Sequence, residues 1–271
     1  MRRWLSIIAI VLVSTITVSA QTLVVPAAAN AEGVNQTHWR TDLQVKAMGE
    51  EGASFTVELL ESGANNSEPE SFERTLDAGA SLRLGNLLDT EFGFTGTAAL
   101  RVSAATGRIL VSSRTYNDDP EGTYGQTVPG IDDSLSTSFG ESATLIQLSR
   151  SSDPAIGFRT NVGFVNLTGE TIGVTVELFA AAGSSLGTVN RNLKPFEHRQ
   201  VNDVFHAAGA DDVVDGYAVV RTVSEDGHFI CYASVVDNGS GDAVFILGAT
   251  EADPTPDEAR LVVFESFLRP G

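Results

Sequence analysis

Gly183-Ser184-Ser185-Leu186-Gly187 fits G-x-S-x-G. In many hydrolases that pattern exposes a nucleophilic serine on a sharp turn between a strand and a helix. The segment before it, Val174 to Leu178, alternates apolar and polar residues as a strand does. The segment after it, Thr188 to Leu193, reads as a second strand, so the helix that the chemistry needs is missing. Gly183–Gly187 is therefore expected to be a hairpin loop, with Gly63 to Ser67 as a loop of the same type upstream. The four histidines, His38, His198, His206 and His228, show no metal-ligand spacing, and each is expected at the surface. No H-E-x-x-H, C-x-x-C or phosphate loop occurs. Carboxylates are plentiful, but no pair stands out as acid and base. No catalytic residue is assigned, and the chain is read as a non-enzyme.

Two acidic turns offer a different chemistry. Asn117-Asp118-Asp119-Pro120-Glu121-Gly122 and Asp237-Asn238-Gly239-Ser240-Gly241-Asp242 carry several oxygen ligands each. Calcium takes six to eight oxygens from carboxylates, amides and carbonyls on flexible turns. Asp118, Asp119, Asp237 and Asp242 are the candidate ligands, although neither turn has EF-hand spacing and metal-free Asx turns are commoner. Tyr116 and Tyr124 are the candidate contact residues for a glycan or peptide, because tyrosine beside glycine-rich turns gives contact area at low entropic cost.

The elements that must position these residues are strands. Phe55–Leu59, Ser81–Leu84 and Ile109–Thr115 have strand character, and clusters of Gly, Asn, Asp and Ser punctuate them. Short strands broken every 8 to 15 residues point to antiparallel sandwiches. Single helical turns are expected at Leu87–Phe92 and Val204–Ala207.

The chain also repeats itself. Arg40-Thr41-Asp42 recurs as Arg159-Thr160-Asn161, 119 residues on, and Arg40–Leu60 matches its counterpart at seven of 21 positions without a gap. Gly96–Arg101 matches Gly216–Arg221, and Arg114–Asp118 falls on Ser234–Asn238, both at an offset of 120. Equal order and spacing over about 100 residues indicate two copies of one unit. The expected divisions are a signal peptide at 1–20, repeats at 21–130 and 142–250 joined by a polar linker at 131–141, and a tail at 251–271 that forms either a strand or a helix.

Features shared by both copies are assigned to the fold. Trp39, aligned with Phe158, is expected to be a core aromatic. Arg40 with Glu58, and Arg159 with Glu177, are expected to form a cross-strand ion pair in each copy. Cys231, the sole cysteine, aligns with Val111 and is expected to be buried and unreactive.

Arg2 and Arg3, the apolar run Trp4–Val18 and the small residues Ser19 and Ala20 have the layout of a secretory leader. Its loss takes the formal net charge from −18 to −20. Such a chain repels nucleic acid and anionic lipid. No other stretch is long and apolar enough to span a membrane.

The phrases VVPAAANAEG (24–33), WRTDLQV (39–45), SSRTYNDDPEGTYGQTVPG (112–130), FRTNVGFVNLTG (158–169) and YASVVDNGSGD (232–242) resemble those of a group of largely uncharacterised bacterial exported proteins. There they recur in tandem β-sandwich modules, alone or appended to secreted enzymes. The resemblance covers nearly all of the chain between the leader and Glu251. It implies extracytoplasmic domains of immunoglobulin-like type, and it carries no catalytic or ligand residue onto this sequence. The reading is an all-β protein of two tandem antiparallel β-sandwich domains. Its expected role is a non-catalytic surface, matrix or accessory module that contacts an extracellular or envelope protein or glycan. A calcium-stiffened spacer and a hydrolase without a recognisable motif are the alternatives.

Overall fold

A computed structural model describes residues 21–33, 37–120 and 122–252. The expected leader and most of the tail lie outside the described residues. The chain is all-β, as the sequence indicates. Its first half contains β1 (Gln21–Glu32), β2 (His38–Met48), β3 (Ala53–Glu61), β4 (Ser71–Leu76), β5 (Ser81–Leu84), α1 (Leu87–Thr90), β6 (Gly96–Thr106), β7 (Arg108–Asp119), β8 (Gly122–Pro129) and β9 (Ile131–Asp132). After β10 (Thr137–Ser138) the same succession returns. It runs β11 (Glu141–Arg150), β12 (Phe158–Asn166), β13 (Ile172–Phe179), β14 (Ser185–Leu193), β15 (His198–Val201), α2 (Val204–Ala207), β16 (Val213–Thr222), β17 (His228–Asp237), β18 (Ala243–Leu247) and β19 (Ala249–Ala252). The two helical turns fall where the sequence puts them.

All named strand pairs are antiparallel. In the first half, β4-β3-β6-β1 with β9 faces β5-β2-β7-β8 across a core that includes Val25, Val57 and Leu100 from one sheet and Leu43, Val45 and Val111 from the other. Strand β1 belongs to both sheets. Its pairing with β6 shifts register between Val25 and Ala28, where Pro26 has no amide hydrogen to give, and its end turns across to pair Ala31 with Trp39 of β2. In the second half, β14-β13-β16-β11-β19 faces β15-β12-β17 with β18 across a core that includes Leu145, Val176, Val220, Phe164 and Cys231. Burial pushes the Cys231 thiol up to about 12, so it stays protonated, as its repeat partner Val111 suggests.

Pairing registers correct one block of the internal alignment. Val57 faces Val102, and Val176 faces Val220, which makes Val102 and Val220 equivalent positions at an offset of 118. The sequence match at 120 is two residues out. A shift of two keeps every side chain on its own face, so the apolar pattern cannot detect it. The ion pairs are also redistributed. Glu58 is bound by Arg101, and Glu177 by Arg221, each at 2.5 Å; Arg40 instead meets Asp118 at 3.1 Å.

The halves are docked. The outward face of β3-β6-β1-β9 meets the outward face of β15-β12-β17, burying Val24, Leu60, Ala99 and Ile131 against Val165 and Ile230. Fully burying a Val, Leu or Ile is worth roughly 1.5–3 kcal/mol, so this cluster holds the two halves together. Backbone bonds reinforce it: Gly63 N donates to His198 O at 3.2 Å, and Asn66 N to Pro195 O at 2.9 Å. The loop Gly63–Ser67 is thus an interface element, whereas its counterpart Gly183–Ser184 is a plain hairpin turn between β13 and β14. Residues of the expected linker are held too, Ile131 by β1 and Thr137 by β17.

Docking explains the burial patterns. Strands β12 and β17 are buried along both faces, while their counterparts β2 and β7 alternate buried and exposed residues. It also corrects two expectations. His198 is 1 % exposed, its Nε2 3.0 Å from the Tyr232 hydroxyl. Trp39 is half-buried and lines a cavity between the halves, and Phe158 is 46 % exposed, so neither is a core aromatic.

Candidate functional site

The outward face of β5-β2-β7-β8 is the uncovered counterpart of the docked sheet. Alternation along β2 puts Arg40, Asp42, Gln44 and Lys46 on this face, and along β7 it puts Arg108, Leu110, Ser112, Arg114 and Tyr116 there. Strand β5 adds Arg83 opposite Gln44. At equivalent positions the second half has Val165 for Lys46, Ile230 for Leu110, Tyr232 for Ser112 and Gln200 for Arg83. The two cations of this set, Lys46 and Arg83, are thus replaced by uncharged residues where the face is covered.

Asp42 organises the face. Its Oδ2 accepts from Arg83 Nη2 at 2.5 Å, and its Oδ1 accepts from the Asn86 amide at 2.9 Å and the Tyr116 hydroxyl at 3.3 Å. Burial would raise the Asp42 carboxyl. The Arg83 and Asn86 hydrogen bonds, the Arg83 charge and the Tyr116 hydroxyl outweigh burial and hold it below the ordinary carboxylate range. The Asn86 contact belongs to the fold. Asn86 has φ +46° ahead of α1, and Asp203 has φ +43° ahead of α2, where the Asn161 Oδ1 accepts the Asp203 amide at 3.1 Å. A side-chain oxygen at 42 or 161 therefore anchors the helical turn in either half. The carboxylate at 42 adds a hold on Arg83, whose side chain remains 71 % exposed.

Arg114 completes the arrangement by lying over the Tyr116 ring, 4.9 Å from its centroid. Asp42, Arg83, Ser112, Arg114 and Thr127 line a depression of about 240 Å³. Five cations, Arg40, Lys46, Arg83, Arg108 and Arg114, share this face with two acids, Asp42 and Asp118. On a chain of formal charge −18 this is a local reversal of sign.

Of the residues singled out by sequence, Tyr116 belongs to this face and Tyr124 does not. Tyr116 faces Gly125 across the β7–β8 ladder while Tyr124 faces Asn117, so the two rings point to opposite sides of the sheet. The acidic turns satisfy themselves. Asp237 Oδ1 accepts from Gly239 N, Ser240 N and Ser240 Oγ, Asp242 Oδ1 accepts from Ala243 N, and Asp118 is engaged by Arg40. Asp119 lies at the end of β7. Among the described residues no three His, Cys, Asp or Glu side chains converge as a metal site. Ser185 begins β14, so a strand follows the turn directly where the nucleophile elbow needs a helix. Sequence reasoning missed Arg83 and Arg114; the alternation of arginine with small residues in Ser112-Ser113-Arg114 was the available signal.

No family model matches the chain, and none of the curated proteins is similar to it. No helix among the described residues is long and apolar enough to cross a membrane.

Proposed function

We propose that the protein is an exported, non-catalytic interaction module of two tandem β-sandwich domains of immunoglobulin-like kind, and that its open β5-β2-β7-β8 face contacts an acidic envelope or extracellular partner. One observation carries this reading: five cations and a stacked arginine–tyrosine pair occupy an open sheet face whose counterpart in the other half is a docking face. At physiological salt, charges more than about 8 Å apart are largely screened, so the local sign governs contact while the net charge governs approach. A partner of modest charge density suits that balance better than nucleic acid, which carries one charge per about 1.7 Å.

The test is retention of residues 21–271 on immobilised polygalacturonate and on immobilised polyglutamate, with dextran as the neutral control. Salt-sensitive retention on one acidic polymer, lost in the double variant Arg83→Glu, Arg114→Glu, supports the face. Retention on neither at low salt, with the protein folded, removes it.

A further inference from the structure

A second cationic site lies between the halves. Arg40 and Arg159 occupy equivalent positions, and so do Asp118 and Asn238. In the first half the arginine meets a carboxylate, Asp118, at 3.1 Å. In the second half Arg159 Nη1 donates to the neutral Asn238 Oδ1 at 3.0 Å, and Arg159 forms no ion pair among the described residues. Asp203 is already held by Arg150 Nε at 3.0 and 3.1 Å. Asp237 is tied into its own turn by Ser240. Both act on Arg159 only through space, and burial lowers the pKa of its guanidinium. A partly desolvated arginine that has lost its carboxylate is incomplete.

That arginine borders a cavity of about 300 Å³, the lower end of the range for small-molecule sites. One wall is apolar: Ala27, Ala28 and Ala29 of β1. The rest of the lining is mostly polar and includes Asn161, Gln200, Asn202 and two acids, Glu32 paired with His38 and Asp203 paired with Arg150, while Trp39 and Tyr232 add aromatic rings. His198 also lines the cavity, fully buried, and its Nδ1 has no hydrogen-bond partner. Burial keeps that imidazole neutral, since its pKa is lowered to about 3. The Tyr232 hydroxyl donates to Gln200 Oε1 at 3.1 Å, so His198 Nε2 donates to Tyr232 and Nδ1 is left as a free acceptor.

We propose that this cavity binds a monosaccharide-sized sugar carboxylate, which gives Arg159 the negatively charged partner that Asp118 gives Arg40 and that the neutral Asn238 does not. Arg159 supplies the planar fork for the carboxylate, the amides of Asn161 and Gln200 suit ring hydroxyls, and the alanine wall and Trp39 cover the apolar face of the ring. This site is separate from the open face and does not depend on its role.

The experiment is a calorimetric titration of residues 21–271 with D-glucuronate and with D-glucose. The expected result is saturable glucuronate binding, with glucose weaker by roughly tenfold or more, the usual consequence of leaving a charged partner unmet. Arg159→Gln removes the fork. Asn238→Asp restores the carboxylate of the first half and should abolish glucuronate binding while leaving the protein folded. The double variant Arg83→Glu, Arg114→Glu should bind glucuronate as the parent does. Absence of saturable glucuronate binding by the folded parent, equal binding of glucose, or indifference to both Arg159→Gln and Asn238→Asp would overturn the proposal.

Discussion

The ring of Tyr232 lies across Gly163, the residue that faces it on the neighbouring strand: a methyl group at 163 would sit 2.1 Å from the ring. The tyrosine covers the gap that glycine leaves and carries its hydroxyl on to His198 and Gln200. Gly163→Ala should therefore displace the ring and cost about 1–3 kcal/mol, the range for overpacking a filled site. Urea unfolding measures it. Gln44→Ala, the same position on the open sheet, serves as the reference and should change little.

His198 predicts a pH dependence. Its folded pKa is about 3 against an ordinary 6.5. Between those values the unfolded chain binds a proton that the folded chain refuses, so stability falls as pH drops from 6.5 towards 3. The slope from this one group approaches 1.4 kcal/mol per pH unit. In His198→Gln that contribution to the slope should vanish, as read by unfolding midpoints across the interval.

Asp42 acts in a lower window. Its folded pKa lies below 3.8, so the stability it contributes is fully present above the unfolded value and is lost as pH falls through the folded one. Asp42→Asn keeps the oxygen that anchors Asn86 and removes the charge that holds Arg83. Parent and variant should differ in stability at neutral pH and converge in strong acid, when both are followed by denaturant unfolding from pH 7 down to about 2.

Two ion pairs on equivalent strands should differ in strength. Glu58–Arg101 has side chains 20 % and 22 % exposed, and Arg101 lies over the Phe196 ring of the other half at 4.7 Å. Glu177–Arg221 is 43 % and 37 % exposed. Double-mutant cycles should give about 1 kcal/mol or more for the first and a few tenths for the second.

Much of the fold was legible because the two halves of the chain carry similar patterns in the same order. The alternation of Phe55–Leu59 and Val174–Leu178, the helical turns after Leu87 and Val204, and the burial of Cys231 through its match with Val111 all follow from comparing the copies. The same comparison misleads wherever the halves touch, because only one copy of each surface is used there. Trp39 and Phe158 align, yet neither is core. His198 has the look of a surface histidine and becomes buried only because β3, β6 and β1 of the first half cover its sheet. One local signal of that cover was present. Val162-Gly163-Phe164-Val165 and Phe229 to Val236 are near-continuous apolar runs, as strands buried on two faces are. The open face was half read: Tyr116 stood out by type, while Arg83 and Arg114 acquire meaning only when the ladder sets them beside Asp42 and Tyr116.

The docking of the two halves joins unlike surfaces, the β3-β6-β1-β9 face of one to the β15-β12-β17 face of the other. Contacts of that kind have no internal dyad and can in principle be continued as a series. Here the series stops after one step. At the leading end Lys46 and Ser112 stand where Val165 and Tyr232 would be needed to receive another unit. At the trailing end the stacked rings of Phe179 and Tyr217 replace the small Leu60–Ala99 pair that let the sheets close together. Each end is thus finished differently, and the molecule has a polarity: a cationic head and an aromatic tail, set at opposite ends of one stacked pair.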